Sequence, residues 1–335
     1  MRAAVLSGHD LRELVVRDIP DPQPGPGEVA VRVETVGVNQ LDLNVIAGVG
    51  PGARARLPRV LGIDPAGSIV AVGAGVDAAR IGEAVVVKPN IPCGTCPACT
   101  ADHEEDCPKQ TVVGVHRDGG AAEVVIVPAR SAFDRRGLDA AQASAVVHSA
   151  AIVLNAAEAV GLSSSDRVLV MGAGGTLGRA ATAIALHRGA EVVAASRRPL
   201  QQIGGETTVT APDAAALETA LTRTAAGFDV LLDVTGNAPT LGIGIAALGW
   251  GGRAVFCSAS VSSDLRIDAR DFYLRRKVLR GAASAGYRHV AEALDLAAAG
   301  VVPELVGERH PLSEIVHAYA AFPLKKNGKV IIDVQ

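Results

Sequence analysis

The chain has 335 residues, 49% hydrophobic and 20% charged, with a formal net charge of −3. That length and composition suit two domains with real cores and exclude a disordered chain. Acids and bases are interspersed, which argues against partners such as nucleic acid or an anionic membrane. The opening "MRAAVLSGHD" has no apolar stretch of secretory length, and the longest apolar runs break well before the roughly 18 residues of a membrane span. Four of the five cysteines are clustered, unlike a secreted disulfide framework, so the cytoplasm is the expected compartment.

In chain order, residues 1–130 read as short strands broken by turns. "EVAVRVETVGVN" (28–39), "GSIVAVG" (67–73) and "EAVVVK" (83–88) are β-branched and partly alternating, and "PDPQPGPGE" (20–28) is turn material. The stretch "CGTCPACTADHEEDC" (93–107) interrupts them with the spacing C-x2-C-x2-C-x7-C, which looks like a metal site. Its "HEED" (103–106) is expected to be solvated. "GGAAEVVIVP" (119–128) returns to strand. From "DAAQASAVVHSAAIVLNAAEAV" (139–160) the period becomes helical. Strands at 167–173, 191–196, 229–236 and 252–258 then alternate with helices at 176–189, 213–224 and 242–249. Such alternation marks a buried parallel sheet. "YLRRKVLR" (273–280) reads as a strand with a basic solvated face, and "GERHPL" (307–312) as a loop. Two helical patterns and a closing strand, "KVIIDV" (329–334), end the chain.

"RVLVMGAGGTLGRAA" places Gly172, Gly174, Gly175 and Gly178 between a buried strand and an Ala-rich helix. Glycines there let backbone pass close to a pyrophosphate, and the helix start at Thr176 and Leu177 supplies free N–H groups. The strict G-x-G-x-x-G pattern fails at Leu177, leaving Gly172, Gly175 and Gly178 three apart. The second strand ends at Ser196, where a site for NAD needs a carboxylate. Ser196 leaves room for a 2′-phosphate, and Arg197 and Arg198 offer charge-assisted bonds to it, so NADPH is expected. Thr235, Gly236 and Ser258 fall at the C-terminal ends of strands, where α/β ligands bind, and are expected to line the nicotinamide.

With these residues, the whole chain resembles the medium-chain dehydrogenase/reductase superfamily, and within it the NADPH:quinone oxidoreductases and enoyl reductases. The resemblance implies an α/β protein: a GroES-like β-barrel catalytic domain (1–148, with a zinc lobe at about 91–110), an inserted Rossmann doubly wound parallel-sheet domain (149–284), and a return to the first domain (285–335). The alcohol dehydrogenase branch holds a structural Zn²⁺ at this cysteine spacing, which makes Cys93, Cys96, Cys99 and Cys107 the expected ligands, one zinc per subunit. Four thiolates close a tetrahedron and leave no open position for chemistry. The catalytic zinc of that branch uses a Cys in G-x-C-x-x-D and a His in G-H-E-x-x-G. Here the segments read "GVNQLD" (37–42) and "GIDPAG" (62–67), with Asn39, Ile63 and Asp64 at the ligand positions and "AVVHSAA" near the third. No catalytic zinc is therefore expected.

Without a Lewis acid, hydride transfer to an activated C=C or a quinone is the expected reaction, the substrate being an enone, enal or quinone. Asn39 and Asp42 are expected at the active-site floor, Asn39 contacting the substrate oxygen or the nicotinamide ribose and Asp42 orienting the loop. His148 is a candidate proton donor. Two other readings stay open: an alcohol dehydrogenase, ketoreductase or iminium reductase in which His148 or Asp64 does the work, and a low-turnover NADPH-binding sensor or interaction protein. The resemblance also implies a homodimer through the Rossmann sheet edge, which the strand "GRAVFCS" allows.

Overall fold

The computed structural model describes residues 1–223, 227–322 and 328–334. Thr224, the end of the expected helix at 213–224, lies outside them. The chain divides into two compact units. The first comprises Met1–His148, Gly286–Ala298 and the segment from Glu304 to the C-terminus; the second comprises Ser149–Ala285 and Ala299–Pro303.

The first unit is built on a seven-stranded sheet whose long central strand is Glu28–Gly37. Its alternate residues Val29, Val31 and Val33 are wholly buried, as a period of two requires of a strand with one face on a core. The strand is flanked antiparallel by Asp64–Val72 on one side and by the closing strand Lys329–Asp333 on the other. In this register Gly37 lies opposite both Asp64 and Ile331. The ends of three chain-distant segments therefore meet where the central strand turns into the helix Gln40–Ala47. "GERHPL", expected as a loop, is the strand Val306–Pro311, paired in parallel with the closing strand. Its charged residues hid it: Arg309 bonds Asp333 across the pair rather than solvating a loop.

The second unit is a six-stranded, all-parallel sheet in the order Thr207–Thr210, Glu191–Ser196, Arg167–Met171, Phe228–Asp233, Leu248–Phe256, Val278–Gly281. Chain order departs in both directions from Arg167–Met171, so the strand feeding the glycine turn is the topological switch point. "YLRRKVLR" is the end of a short helix, Ala269–Leu274, followed by the edge strand Val278–Gly281. The cause is Lys277, whose buried ammonium bonds the Ile245 carbonyl and Asp271 instead of facing water. "GRAVFCS" belongs to an interior strand, so the open edge lies one strand further out.

The helix Ala140–Ala159 is long and apolar enough to cross a bilayer, but 89% of its most apolar window is buried inside the protein. That is the signature of a core helix.

Candidate active site

In the first unit, four side chains converge at the end of the central strand. Lys329, the first residue of the closing strand, extends its side chain past Gly37. A Cβ at Gly37 would come within 2.5 Å of Lys329 Cε, so the glycine is what leaves the path open. The Lys329 ammonium then donates to Asp64 Oδ2 at 2.8 Å and to Asn39 Oδ1 at 2.6 Å. The Asn39 amide nitrogen donates in turn to Asp64 Oδ2 at 2.8 Å and to the Gly37 carbonyl at 3.1 Å. His148, on the helix Ala140–Ala159, places Nδ1 3.3 Å from Asp64 Oδ1. That contact falls within ion-pair distance but outside hydrogen-bond alignment, leaving Oδ1 without a formal hydrogen bond. Ser144, one turn earlier on the same helix, donates to the Asp64 carbonyl.

The electrostatics follow from burial. Asp64 is inaccessible to solvent, which by itself raises its proton affinity. The charge of Lys329, with the His148 imidazole facing the other carboxylate oxygen, outweighs this and holds the carboxyl well below the usual carboxylate range. Among the described residues no cation is bonded to Asp42. Burial pushes it up to about 7 despite N–H bonds from Asn39 at 2.8 Å and Gly62 at 3.2 Å, with Asp64 adding to the push. Asp42 stands at the third position of the helix Gln40–Ala47, its carboxylate closing back on the amide of Asn39, the residue before the helix. It is a loop-setting residue by contact. Asn39 has both amide hydrogens and an oxygen lone pair committed within the cluster. Sequence reasoning missed Lys329, which it read only as the start of a strand. The one available signal was a charged residue heading an otherwise apolar run.

A catalytic metal does not fit this donor set. Asn39 offers a neutral amide, Ile63 is a buried hydrocarbon, and Asp64 already neutralises an ammonium. The cysteine cluster, by contrast, suits zinc. The four Sγ atoms lie within 4.8 Å of one another, with Cys96–Cys99 at 3.5 Å and Cys93–Cys99 at 4.0 Å. A zinc tetrahedron with bonds of about 2.3 Å requires sulfurs about 3.8 Å apart. "HEED" is solvated only at its ends: His103 and Asp106 are exposed, whereas the Glu104 and Glu105 side chains are each only 6% exposed. Glu105 pairs at 2.7 Å with Arg288, which also bonds the Asp102 carbonyl at 2.7 Å, fastening the lobe to the returning helix Tyr287–Ala298. Each glutamate thus has a partner 183 residues away in sequence, Arg288 for Glu105 and the Tyr287 amide for Glu104.

In the second unit the glycine turn has the form that a dinucleotide needs. Gly172 has φ +86°, and a Cβ on Gly178 would sit 2.1 Å from the Gly172 carbonyl oxygen. Both positions are therefore closed to other residues. Gly175 precedes the helix Thr176–His187 with no side chain capping it, so Thr176 and Leu177 open the helix at the turn. A Cβ on Gly174 would lie 2.9 Å from Ser196 Oγ, which puts the end of the second strand beside the turn. Arg197 and Arg198 are exposed just beyond it. Asp233, pushed up to about 6 by burial, accepts from the Thr235 amide at 3.1 Å and its hydroxyl at 3.0 Å, which shapes the "VTG" corner. Ser258 faces Ser260 at 2.9 Å against Gly236. Cys257, next to Asp233, has its thiol pushed up to about 12 by burial and is no nucleophile.

A sheet-built first unit and a parallel-sheet unit with a glycine turn at its switch point fit an oxidoreductase that uses a nicotinamide dinucleotide. Residues 25–136 match the alcohol dehydrogenase GroES-like domain and residues 176–299 the zinc-binding dehydrogenase domain. The chain is 31% identical to D-altritol 5-dehydrogenase of Agrobacterium fabrum over 93% of its length and 92% of the relative's. It is 29% identical to L-galactonate-5-dehydrogenase of Escherichia coli over 92% of both chains. Among solved structures, a cobalt- and zinc-bound thermostable alcohol dehydrogenase from Pyrobaculum aerophilum superposes with a TM-score of 0.90 at 31% identity, covering 100% of this chain and 99% of that one. The chain belongs to the medium-chain dehydrogenase/reductase superfamily.

Proposed function

We propose that the protein is an NADP(H)-dependent dehydrogenase that interconverts a secondary hydroxyl and a ketone on a polyol-like small molecule, with no metal at the substrate oxygen. The observation that carries this reading is the His148–Asp64 pair. A carboxylate can only accept, so the imidazole nitrogen facing Asp64 carries the hydrogen and Nε2 is left as a base. Reduction of an enone or quinone, the reaction first expected from the sequence, does not call for a base so placed. The two curated relatives named above are dehydrogenases of hydroxylated compounds, which supports the alternative.

In the oxidative direction the substrate O–H proton passes to His148 Nε2 as the carbinol C–H bond breaks and the C=O bond forms. The nicotinamide, when bound, supplies the acceptor for the hydride, taking up one hydrogen and two electrons. Lys329 and Asn39 hold Asp64 in place while His148 takes the proton. Catalytic hydrogen bonds are commonly long before substrate binds, which accommodates the 3.3 Å separation. Ser196, Arg197 and Arg198 support NADP(H). The proposed setting is cytoplasmic.

The test is a panel of open-chain polyols, sugar acids, enones and quinones assayed with both cofactors by absorbance of the reduced nicotinamide. Oxidation of a secondary hydroxyl is expected, with NADP⁺ favoured by about tenfold or more and the preference lost in R197A/R198A. Turnover of enones or quinones alone would overturn the reading.

A homodimer is also proposed, through the open edge strand Val278–Gly281. Beside that strand in the sequence stand the exposed side chains of Tyr273 and Leu274, and Trp250 is 68% exposed on the neighbouring strand. Unpaired strand edges of this kind invite a second copy. Sedimentation velocity should give a dimer mass that W250E/Y273E lowers to that of one chain; a wild-type monomer at micromolar concentration sinks the idea.

A further inference from the structure

We propose that Lys329 is a positioning residue of this reaction: its ammonium neutralises buried Asp64 and locks the Asn39 amide, so that His148 is presented as a neutral base. The inference rests on the reading of His148 as proton acceptor.

The geometry gives Lys329 two fixed bonds, to Asp64 Oδ2 and Asn39 Oδ1. These settle which way the Asn39 amide points, because its oxygen must face the ammonium and its nitrogen the carboxylate. Asp64 Oδ2 is thereby occupied twice, by Lys329 and by Asn39. Only Oδ1 remains for His148. The charged and titratable groups brought to this place are Asp64 from its strand, Lys329 from the closing strand, Asp42 from the helix Gln40–Ala47, and Tyr319, which lies against Asp42, from the helix Ile315–Ala321. Lys329 is the only permanent cation among these described groups. Without it, the buried carboxylate would have, among the described residues, His148 as its remaining source of positive charge, and an imidazolium cannot accept the substrate proton. The side chain is 5% exposed and reaches its partners only because residue 37 is glycine, so both the lysine and the gap beside it belong to the device.

The test compares wild type with K329M, K329R and G37A, which displaces the ammonium sterically without removing the charge. Two readouts are used: the pH dependence of kcat/KM for alcohol oxidation, and the ring resonances of His148 in the protein, assigned with H148Q. In K329M the His148 midpoint should rise by about one pH unit or more, carrying the acid limb of the rate profile with it. The rate should recover at high pH, where the base is regenerated. K329R should restore most of the wild-type profile, and G37A should fall between. An unchanged midpoint in folded K329M, or a loss of rate equal at every pH, overturns the proposal. Should K329M not fold, D64N/K329M is compared with D64N, since the double variant leaves neither partner buried alone. Removing the ammonium must again raise the midpoint, and no rise overturns the proposal. If no hydroxyl substrate turns over, the functional reading fails, whereas the imidazole titration still decides the role of Lys329.

Discussion

Replacing His148 with alanine should lower kcat/KM for oxidation of the proposed hydroxyl substrate by about 10²–10⁴-fold, the range of a lost general base. Dinucleotide affinity, measured by fluorescence titration, should stay within about twofold, because the glycine turn belongs to the other unit. The side chain is 18% exposed and stands 3.3 Å from Asp64 at the edge of the core, so the change costs packing at a partly open position. Thermal stability should accordingly fall by only a few degrees. H148Q restores bulk without a base and should be nearly as slow as alanine, which separates the chemistry from packing. A variant that keeps a tenth or more of the wild-type rate at every pH would show that another group takes the proton.

Loss of the thiolate cluster should act in the opposite manner, on stability and not on chemistry. Cys99→Ser is expected to reduce bound zinc from one ion per chain to none and to lower the melting temperature by about 5–10 °C. Limited proteolysis should then cut within residues 93–107, since what still holds the lobe is a set of polar contacts at its acidic end, from Arg288 to Asp102 and Glu105 and from Arg130 and the Tyr287 amide to Glu104. Treating wild type with a chelator below its melting temperature should leave the initial rate unchanged while shortening the lifetime of activity. The reason is coordination: four sulfurs within 4.8 Å of one another leave a tetrahedral ion no position for substrate. A second zinc per chain, or an immediate loss of rate with unchanged stability, would falsify the assignment of all metal to the lobe.

Much of the architecture was legible because it rests on local patterns. The continuous apolar runs at "RVLVM" and "EVVAAS" announce strands buried on both faces, and the structure has parallel strands at Arg167–Met171 and Glu191–Ser196. Elements hidden from a local reading were those whose polar residues are satisfied by distant partners. Val306–Pro311 looks like a loop until Arg309 meets Asp333, and "HEED" looks solvated until Arg288 folds over it. Lys277 misled in the same way, as a buried cation at the end of a helix it does not belong to.

The sequence alone determined the class of protein, the cysteine tetrad and the glycine turn, since each depends on spacing within about fifteen residues. It also made a catalytic metal unexpected, through Asn39 and Ile63 standing at the ligand positions. What only the tertiary structure decided is the polar cluster at that place: a lysine 290 residues from Asn39, brought by antiparallel register to the same strand end as Asp64 and His148. Sheet pairing joins segments regardless of their separation in the chain. A buried charge finds its counter-charge through that register, and no periodicity in the sequence can report it.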